Sequence, residues 1–393
     1  MKIFVILSRL PYPLEKGDKL RAYHQIKHLS AQAEVHLCCL SDQAYSSEQL
    51  EELEKICTKL YVFRLSKFRI YWRLFWGFLS DKPFQILYFH DKAIHKKVRH
   101  LLQEIEPDQI YAQLVRTAEY VKSEFSYPKV LDYMDALSKG IQRRIKDAPF
   151  FSRIFLKMEY NRLVKYENLI FDYFDKHTII SEADRNFIYH PQKENIKLLL
   201  NGVDFSFFQT QEDTNKEPQY DLLFTGNMAY PPNINCAQYL AKEIIPLLKK
   251  EKSSIRLLIA GANPSNDVLK LQSENIHVSG WMEDIREAYL NAKIFLAPMQ
   301  IGTGLQNKLL EAMAMKLPCI TSPLANAGLN AKEGKDILIG ENPEQIAKNC
   351  ILLLENPTKK EEIAKNGYTF VRMNYDWQNA TDILVKILRE NKI

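Results

Sequence analysis

The sequence predicts an α/β protein built from two Rossmann-like, doubly wound domains that face each other across a cleft. Three observations predict it. The chain has 393 residues, more than one hydrophobic core normally organises. Short apolar, β-branched runs alternate with helical stretches along almost the whole length, the pattern of parallel sheets covered on both faces. A polar stretch without periodicity, 205–220, divides that alternation into two series.

The first series opens with "KIFVIL" (2–7), followed by the loop "SRLPYPLEKGDK" and the helix "LRAYHQIKHLSA". Further strands are expected at "EVHLCCL" (34–40), "KLYVFRL" (59–65), "DQIYAQ" (108–113), "KVLDYMD" (129–135), "KHTIIS" (176–181) and "IKLLLNGVD". The second series runs through "DLLFTG" (221–226), "IRLLIAG" (255–261), "IHVSG" (276–280), "KIFLAP" (293–298), "PCITS" (318–322) and "DILIG" (336–340). The resulting division is 1–204, a linker 205–220, 221–375, and a C-terminal helix 376–393 packing back towards the first domain. No sequence repeat relates the halves.

Composition narrows the function. A net charge of +5 is too mild to indicate nucleic acid, and no nucleic-acid-binding fold is recognisable. The six cysteines form no C-x-x-C pair, which argues against a disulfide framework or structural zinc. No His/Asp/Glu cluster has ligand spacing, so no metal and no cofactor are expected. The N-terminal apolar run is too short for a secretory signal, and no run of about 18 apolar residues suggests a membrane span. A reducing, cytoplasmic setting follows.

The densest chemistry lies in "GTGLQNKLLEAMA" (302–314). It follows the strand "KIFLAP", so its glycine loop sits at the carboxyl end of a parallel sheet, where such sheets bind ligands. Glycines let backbone amides approach an anion, and a helix N-terminus favours negative charge. Lys308 suits a phosphate and Glu311 a pair of hydroxyls, such as those of ribose. Lys308 and Glu311 share a helix face three residues apart. The same residues also fit a plain glycine turn followed by a surface ion pair.

Context favours the ligand. The stretch resembles the donor-binding motif of family 4 glycosyltransferases, retaining enzymes of the two-domain GT-B fold. "LLEAMAMKLPCITS" (309–322) matches the second half of that motif, and "QNKLLEAMA" resembles sugar transferases associated with exopolysaccharide gene clusters. "NGVDFSFF" (201–208), "FTGNMAYPPNINCAQYL" (224–240), "VSGWMEDIREAYLNAKIFLAP" (278–298) and "PKVLDYMDALS" (128–138) extend the likeness over most of the chain.

The resemblance implies retaining transfer of a sugar, of the hexosyl type, from a nucleotide-diphosphate donor to a glycan or lipid-linked acceptor. Donor binding falls to Gly17, Gly226, Asn227, Gly280, Trp281, Met282, Gly302, Thr303, Gly304, Leu305, Asn307, Lys308 and Glu311. Catalytic roles fall to Asp135, Asp18 and Lys308. Three departures stand out. Thr303 replaces the motif's first glutamate, "GNMAYPPN" lacks the usual basic pair, and Met134–Asp135 replaces a histidine. A sugar-nucleotide epimerase of the same fold and a non-catalytic partner subunit are the alternatives. Arg116, after "DQIYAQ", is either a ligand contact or a solvated arginine.

Two further stretches combine cations with aromatics. "RLSKFRIYWRLFWGFL" (64–79) carries four basic residues and no acid, with Trp72, Phe75, Trp76 and Leu79 at helical spacing on one face. "KGIQRRIKDAPFFSRIFLK" (139–157) has six basic residues and one acid. The aromatics either pack into the core or, with Arg69 and Arg73, form a surface for an anionic membrane.

Overall fold

Every paired strand runs parallel to its neighbours, in two separate sheets. The computed structural model describes residues 1–14, 17–208, 217–301 and 304–390. The chain divides into two units, 1–201 with 377–393 and 202–376.

The first unit holds β1 (Lys2–Leu7), β2 (Glu34–Ser41), β3 (Lys59–Arg64), β4 (Gln109–Gln113), β5 (Lys129–Met134), β6 (Lys176–Ile179) and β7 (Lys197–Leu198), in the order β3-β2-β1-β4-β5-β6-β7. Side chains alternate between faces along a strand. Phe4 and Ile6 of β1 therefore feed one buried cluster, while Ile3, Val5 and Leu7 feed another. This two-faced burial explains why the strands read as unbroken apolar runs. The helix Trp377–Arg389 belongs to this unit, where Leu384, Val385 and Leu388 join the cluster containing Ile26 and Leu29. Trp377 stacks on His24 at 5.2 Å.

The second unit holds β8 (Tyr220–Thr225), β9 (Leu257–Ala260), β10 (Ile276–Gly280), β11 (Ala292–Ala297), β12 (Cys319–Thr321) and β13 (Leu338–Ile339), in the order β10-β9-β8-β11-β12-β13. Both sheets reverse their winding beside the first strand, between β1 and β4 and between β8 and β11. In open parallel sheets this reversal opens a crevice at the strands' carboxyl ends, the preferred place for a ligand.

Several expectations shift. Gly17 is not in a loop but is the first residue of the helix Gly17–Ser30. "IKLLLNGVD" contributes only Lys197–Leu198 as strand, because its neighbour β6 ends at Ile179, the partner of Leu198. Of the expected linker, 209–216 lies outside the described residues, and Phe205–Phe208 form a helical turn that buries Phe205 and Phe208.

Candidate active site

The winding reversal of the second unit gathers the donor candidates. β8 ends at Thr225, and Gly226 and Asn227 follow at its carboxyl end. The backbone is crowded here. A Cβ on Gly226 would come within 2.6 Å of Asn233 Nδ2, and one on Gly261 within 1.9 Å of the Gly226 carbonyl oxygen. Only glycine lets these loops pack so closely. After β11, the loop carries Gly304 and Leu305 into the helix Asn307–Ala314. Gly302 and Thr303 lie outside the described residues. A Cβ on Gly304 or Gly280 would meet nothing within 4 Å, so both leave space on that side, although Gly328 packs against the Gly304 carbonyl. Trp281, just past β10, is exposed, and Met282 beside it is half-buried.

Lys308 and Glu311 do share a helix face, but they do not pair with each other. Lys308 Nζ donates to Asn233 Oδ1 at 2.5 Å and lies 5.0 Å from the centre of the Phe224 ring. Glu311 Oε2 accepts a hydrogen bond from the Tyr289 hydroxyl at 2.8 Å, and that hydroxyl also shares one with Thr225 Oγ1. No group among the described residues bonds Glu311 Oε1. One carboxylate oxygen is fixed and the other is available. Burial pushes the Lys308 ammonium down to about 8, against the attraction of Glu311. Burial raises the Glu311 carboxyl, opposed by the Tyr289 hydrogen bond and by Lys308. A desolvated lysine in the first turn of a helix suits an anion, because little bulk water competes for its charge.

Asn233 and Tyr289 were not legible in the sequence as site residues. Asn233 receives Lys308 and donates through Nδ2 to the Asn227 carbonyl at 2.9 Å, so it ties the loop after β8 to the helix after β11. Their separation of 75 residues leaves no local spacing to read.

The first unit has its own cluster at its winding reversal. Asp18, in the first turn of the helix Gly17–Ser30, pairs with Arg9 beyond β1 at 3.3 Å. A Cβ on Gly17 would contact Met134 Cε at 3.7 Å, which places this turn against the end of β5. Met134 has a left-handed φ of 61°, a strained conformation for a side chain of that size. Its N–H donates to Asp132 Oδ1 at 3.1 Å, which holds the bend and turns Asp135 outward. Crowding by the protein and then the carboxylate of Asp184 raise Asp135 to about 6, with Asp18 adding to this and Arg116 opposing it. The Asp135 side chain is exposed, so water screens part of these interactions. Arg116 is not a solvated arginine. Its guanidinium donates twice to Gln85 Oε1, at 3.0 and 2.6 Å, and lies over the Phe89 ring.

The aromatic stretch is not core. In the helix Lys67–Gly77 only Ile70 and Gly77 are buried. Phe68, Tyr71, Trp72, Phe75 and Trp76 are all at least half exposed, as are Phe78 and Leu79 beyond it. The exposed aromatics therefore spread around the helix beyond the expected single face. Arg69 is exposed, but Arg73 turns inward and bonds the carbonyls of Leu87 and Tyr88 and the Asp91 carboxylate. The second basic stretch lies alongside. Arg162 reaches the carbonyls of Gly77 and Phe78, Phe155 contacts Phe78, and Phe150, Phe151 and Ile154 are exposed.

The comparisons with known proteins agree with this geometry. Residues 219–356 match the family described as Glycosyl transferases group 1, so the second unit is a group 1 glycosyltransferase domain. Anabaena HepE, crystallised in complex with UDP, superposes over 99% of this chain and 100% of its own with a TM-score of 0.67 at 15% identity. Together these likenesses give the chain the GT-B fold and its second unit the likeness of a glycosyltransferase domain. A Klebsiella pneumoniae protein described as an uncharacterized 44.6 kDa protein in the cps region is 25% identical over 99% of this chain and 100% of its own. An uncharacterized glycosyltransferase of Methanocaldococcus jannaschii is 25% identical over 56% of this chain and 59% of its own.

Proposed function

We propose that the protein transfers a sugar from a nucleoside-diphosphate donor to the hydroxyl of a membrane-borne glycan acceptor, with retention, in the synthesis of a surface polysaccharide. The carrying observation is the pair Lys308 and Glu311, held apart by Asn233 and Tyr289 in the helix that follows Gly304. As the glycosidic bond breaks, negative charge grows on the departing diphosphate. Lys308 and the Gly304 amide meet that charge, the term that usually dominates such catalysis. Glu311 Oε1 takes the ribose hydroxyls. Asp135, near neutrality, accepts a hydrogen bond from the acceptor hydroxyl as it attacks, with Asp18 and Arg116 shaping its field. The HepE complex with UDP and the capsule-region setting of the Klebsiella relative support donor type and pathway.

A thermal-shift panel of nucleoside diphosphates tests the donor reading, since a ligand at about 100 times its Kd stabilises by about 2.7 kcal/mol. Glu311→Gln should weaken the best binder, and a 2′-deoxy analogue should lose its disadvantage against the ribose form. If discrimination between the two is unchanged, Glu311 does not read the ribose.

The exposed aromatics and the cations among them support attachment of the enzyme to a membrane surface. No helix among the described residues is long and apolar enough to span one, so attachment is by apolar insertion and by attraction to anionic lipid. Arg64 and Lys67 are exposed and have no partner among the described residues, whereas Arg73 fastens the fold. Changing Arg64 and Lys67 to glutamate should therefore release the protein without unfolding it. Each cation near the surface contributes about 1 kcal/mol, screened by salt. Wild type should sediment with phosphatidylglycerol vesicles at low salt and less with neutral ones. Indifference to both would remove the membrane from this proposal.

A further inference from the structure

Beneath the aromatic helix is a cavity of about 710 Å³. Phe68, Trp72 and Trp76 form one wall, and Leu87 and Ala93, from the following segment, form the other. The lining is almost wholly apolar. It is also preformed. Arg73 spans from the helix to the Leu87 and Tyr88 carbonyls and to Asp91, so one guanidinium fastens both walls. Trp72 and Trp76 brace each other at 6.0 Å.

A preformed apolar cavity open beside exposed aromatics favours burial of a hydrocarbon chain. The charges at the cavity say what the chain carries. Asp91 is the single acid in the lining, and Arg73 neutralises it at 2.8 Å. Arg69, which also reaches Asp91 at 3.5 Å, and Lys92 stand exposed at the rim, and Lys92 has no partner among the described residues. Lys67 and Arg64 lie just before them. The surplus is cationic, complementary to a phosphate at the end of the chain.

The cavity also shares an element with the carboxyl-end cluster. In the helix Phe84–Phe89, Leu87 lines the cavity while Gln85 holds Arg116, whose charge opposes the rise of Asp135. From this we infer that the cavity is a binding site for one aliphatic chain of an anionic lipid phosphate, and that this lipid carries the acceptor. The inference rests on the membrane-borne acceptor proposed above and deepens it. The aromatic surface attaches the enzyme, and the cavity selects the lipid.

The test uses the full chain without detergent, with farnesyl phosphate as probe and farnesol and inorganic phosphate as controls, by titration calorimetry. Farnesyl phosphate should bind, farnesol more weakly, and inorganic phosphate not measurably. Ala93→Phe fills the cavity from an exposed position, leaving the outward aromatics untouched. It should weaken farnesyl phosphate by about ten-fold or more, the loss of roughly two buried methylenes. Its sedimentation with phosphatidylglycerol vesicles and its melting midpoint should match wild type.

No farnesyl phosphate binding by wild type, or equal binding by Ala93→Phe, would overturn the chain site even if vesicles still bind. Binding of farnesyl phosphate by a protein that ignores vesicles would instead overturn only the membrane attachment. Self-association that Ala93→Phe abolishes, with no farnesyl phosphate binding, would assign the cavity to a second copy and overturn the inference.

Discussion

Lys308→Ala should abolish most turnover and weaken nucleoside-diphosphate binding while leaving the protein folded. A hydrogen bond from a charged donor contributes about 1.5–3 kcal/mol, or roughly ten- to hundred-fold in Kd. The fold should tolerate the loss because Asn233, the partner left behind, keeps its bond to the Asn227 carbonyl. No second cation follows β8 in "GNMAYPPN" to take over the charge.

The lysine's own titration gives a sharper signature. Its ammonium lies near 8 in the free protein, and a bound diphosphate favours the charged form. Binding therefore takes up a proton above that pH, and affinity should fall as pH rises through about 8. In Lys308→Arg the charge persists at high pH, so whatever affinity remains should be flat across that range. Calorimetric Kd values between about pH 7 and 9.5 distinguish these cases. Unchanged affinity in Lys308→Ala, or a flat profile in wild type, would remove the lysine from the phosphate.

The sequence made the sheets legible because their strands are buried on both faces. β1, β8 and β11 stand within a residue of their apolar runs. Where the runs are not sustained by burial, the reading overshoots, as at β7, whose two residues are both exposed. The helical pair Lys308 and Glu311 was legible for the same local reason, a spacing of three on one face. What that pair does was not. Its two readings, ligand site or ion pair, are separated by Asn233 and Tyr289, whose approach depends on the folding of β8 against β11. The stretch 64–79 was open in another way. Helical periodicity says which side chains stand together but not what covers them. Here the structure buries Ile70 and leaves the rings out, and it takes Arg73 from the surface for use as a clamp. Arg21 gave no signal at all. A basic residue in a helix reads as solvated, and only tertiary structure puts a carboxylate beside it.

Arg21→Met should cost about 3–5 kcal/mol of stability, the usual penalty for stranding one charge of a buried pair. Arg21 and Asp132 have fully buried side chains and meet at 2.7 Å. A second guanidinium nitrogen donates to Asn201 Oδ1 at 2.9 Å. Burial is the largest influence on the arginine and works against its charge, yet its pKa stands above the ordinary value because Asp132, with Tyr111 and Asp135, together outweigh that burial. Without the arginine, the carboxylate retains only neutral donors, namely the Tyr111 and Thr178 hydroxyls and the Met134 N–H. Adding Asp132→Asn removes the stranded charge while keeping an acceptor, and should recover part of the loss. Denaturation midpoints for wild type, single and double variants make the comparison. A single variant within about 1 kcal/mol of wild type, the range of an exposed pair, would show that the pair does not hold the first unit. The catalytic proposal shares this risk. Asp132 fixes the strained Met134 that presents Asp135, so a partly folded Arg21→Met should lose transfer while the second unit still binds nucleoside diphosphate.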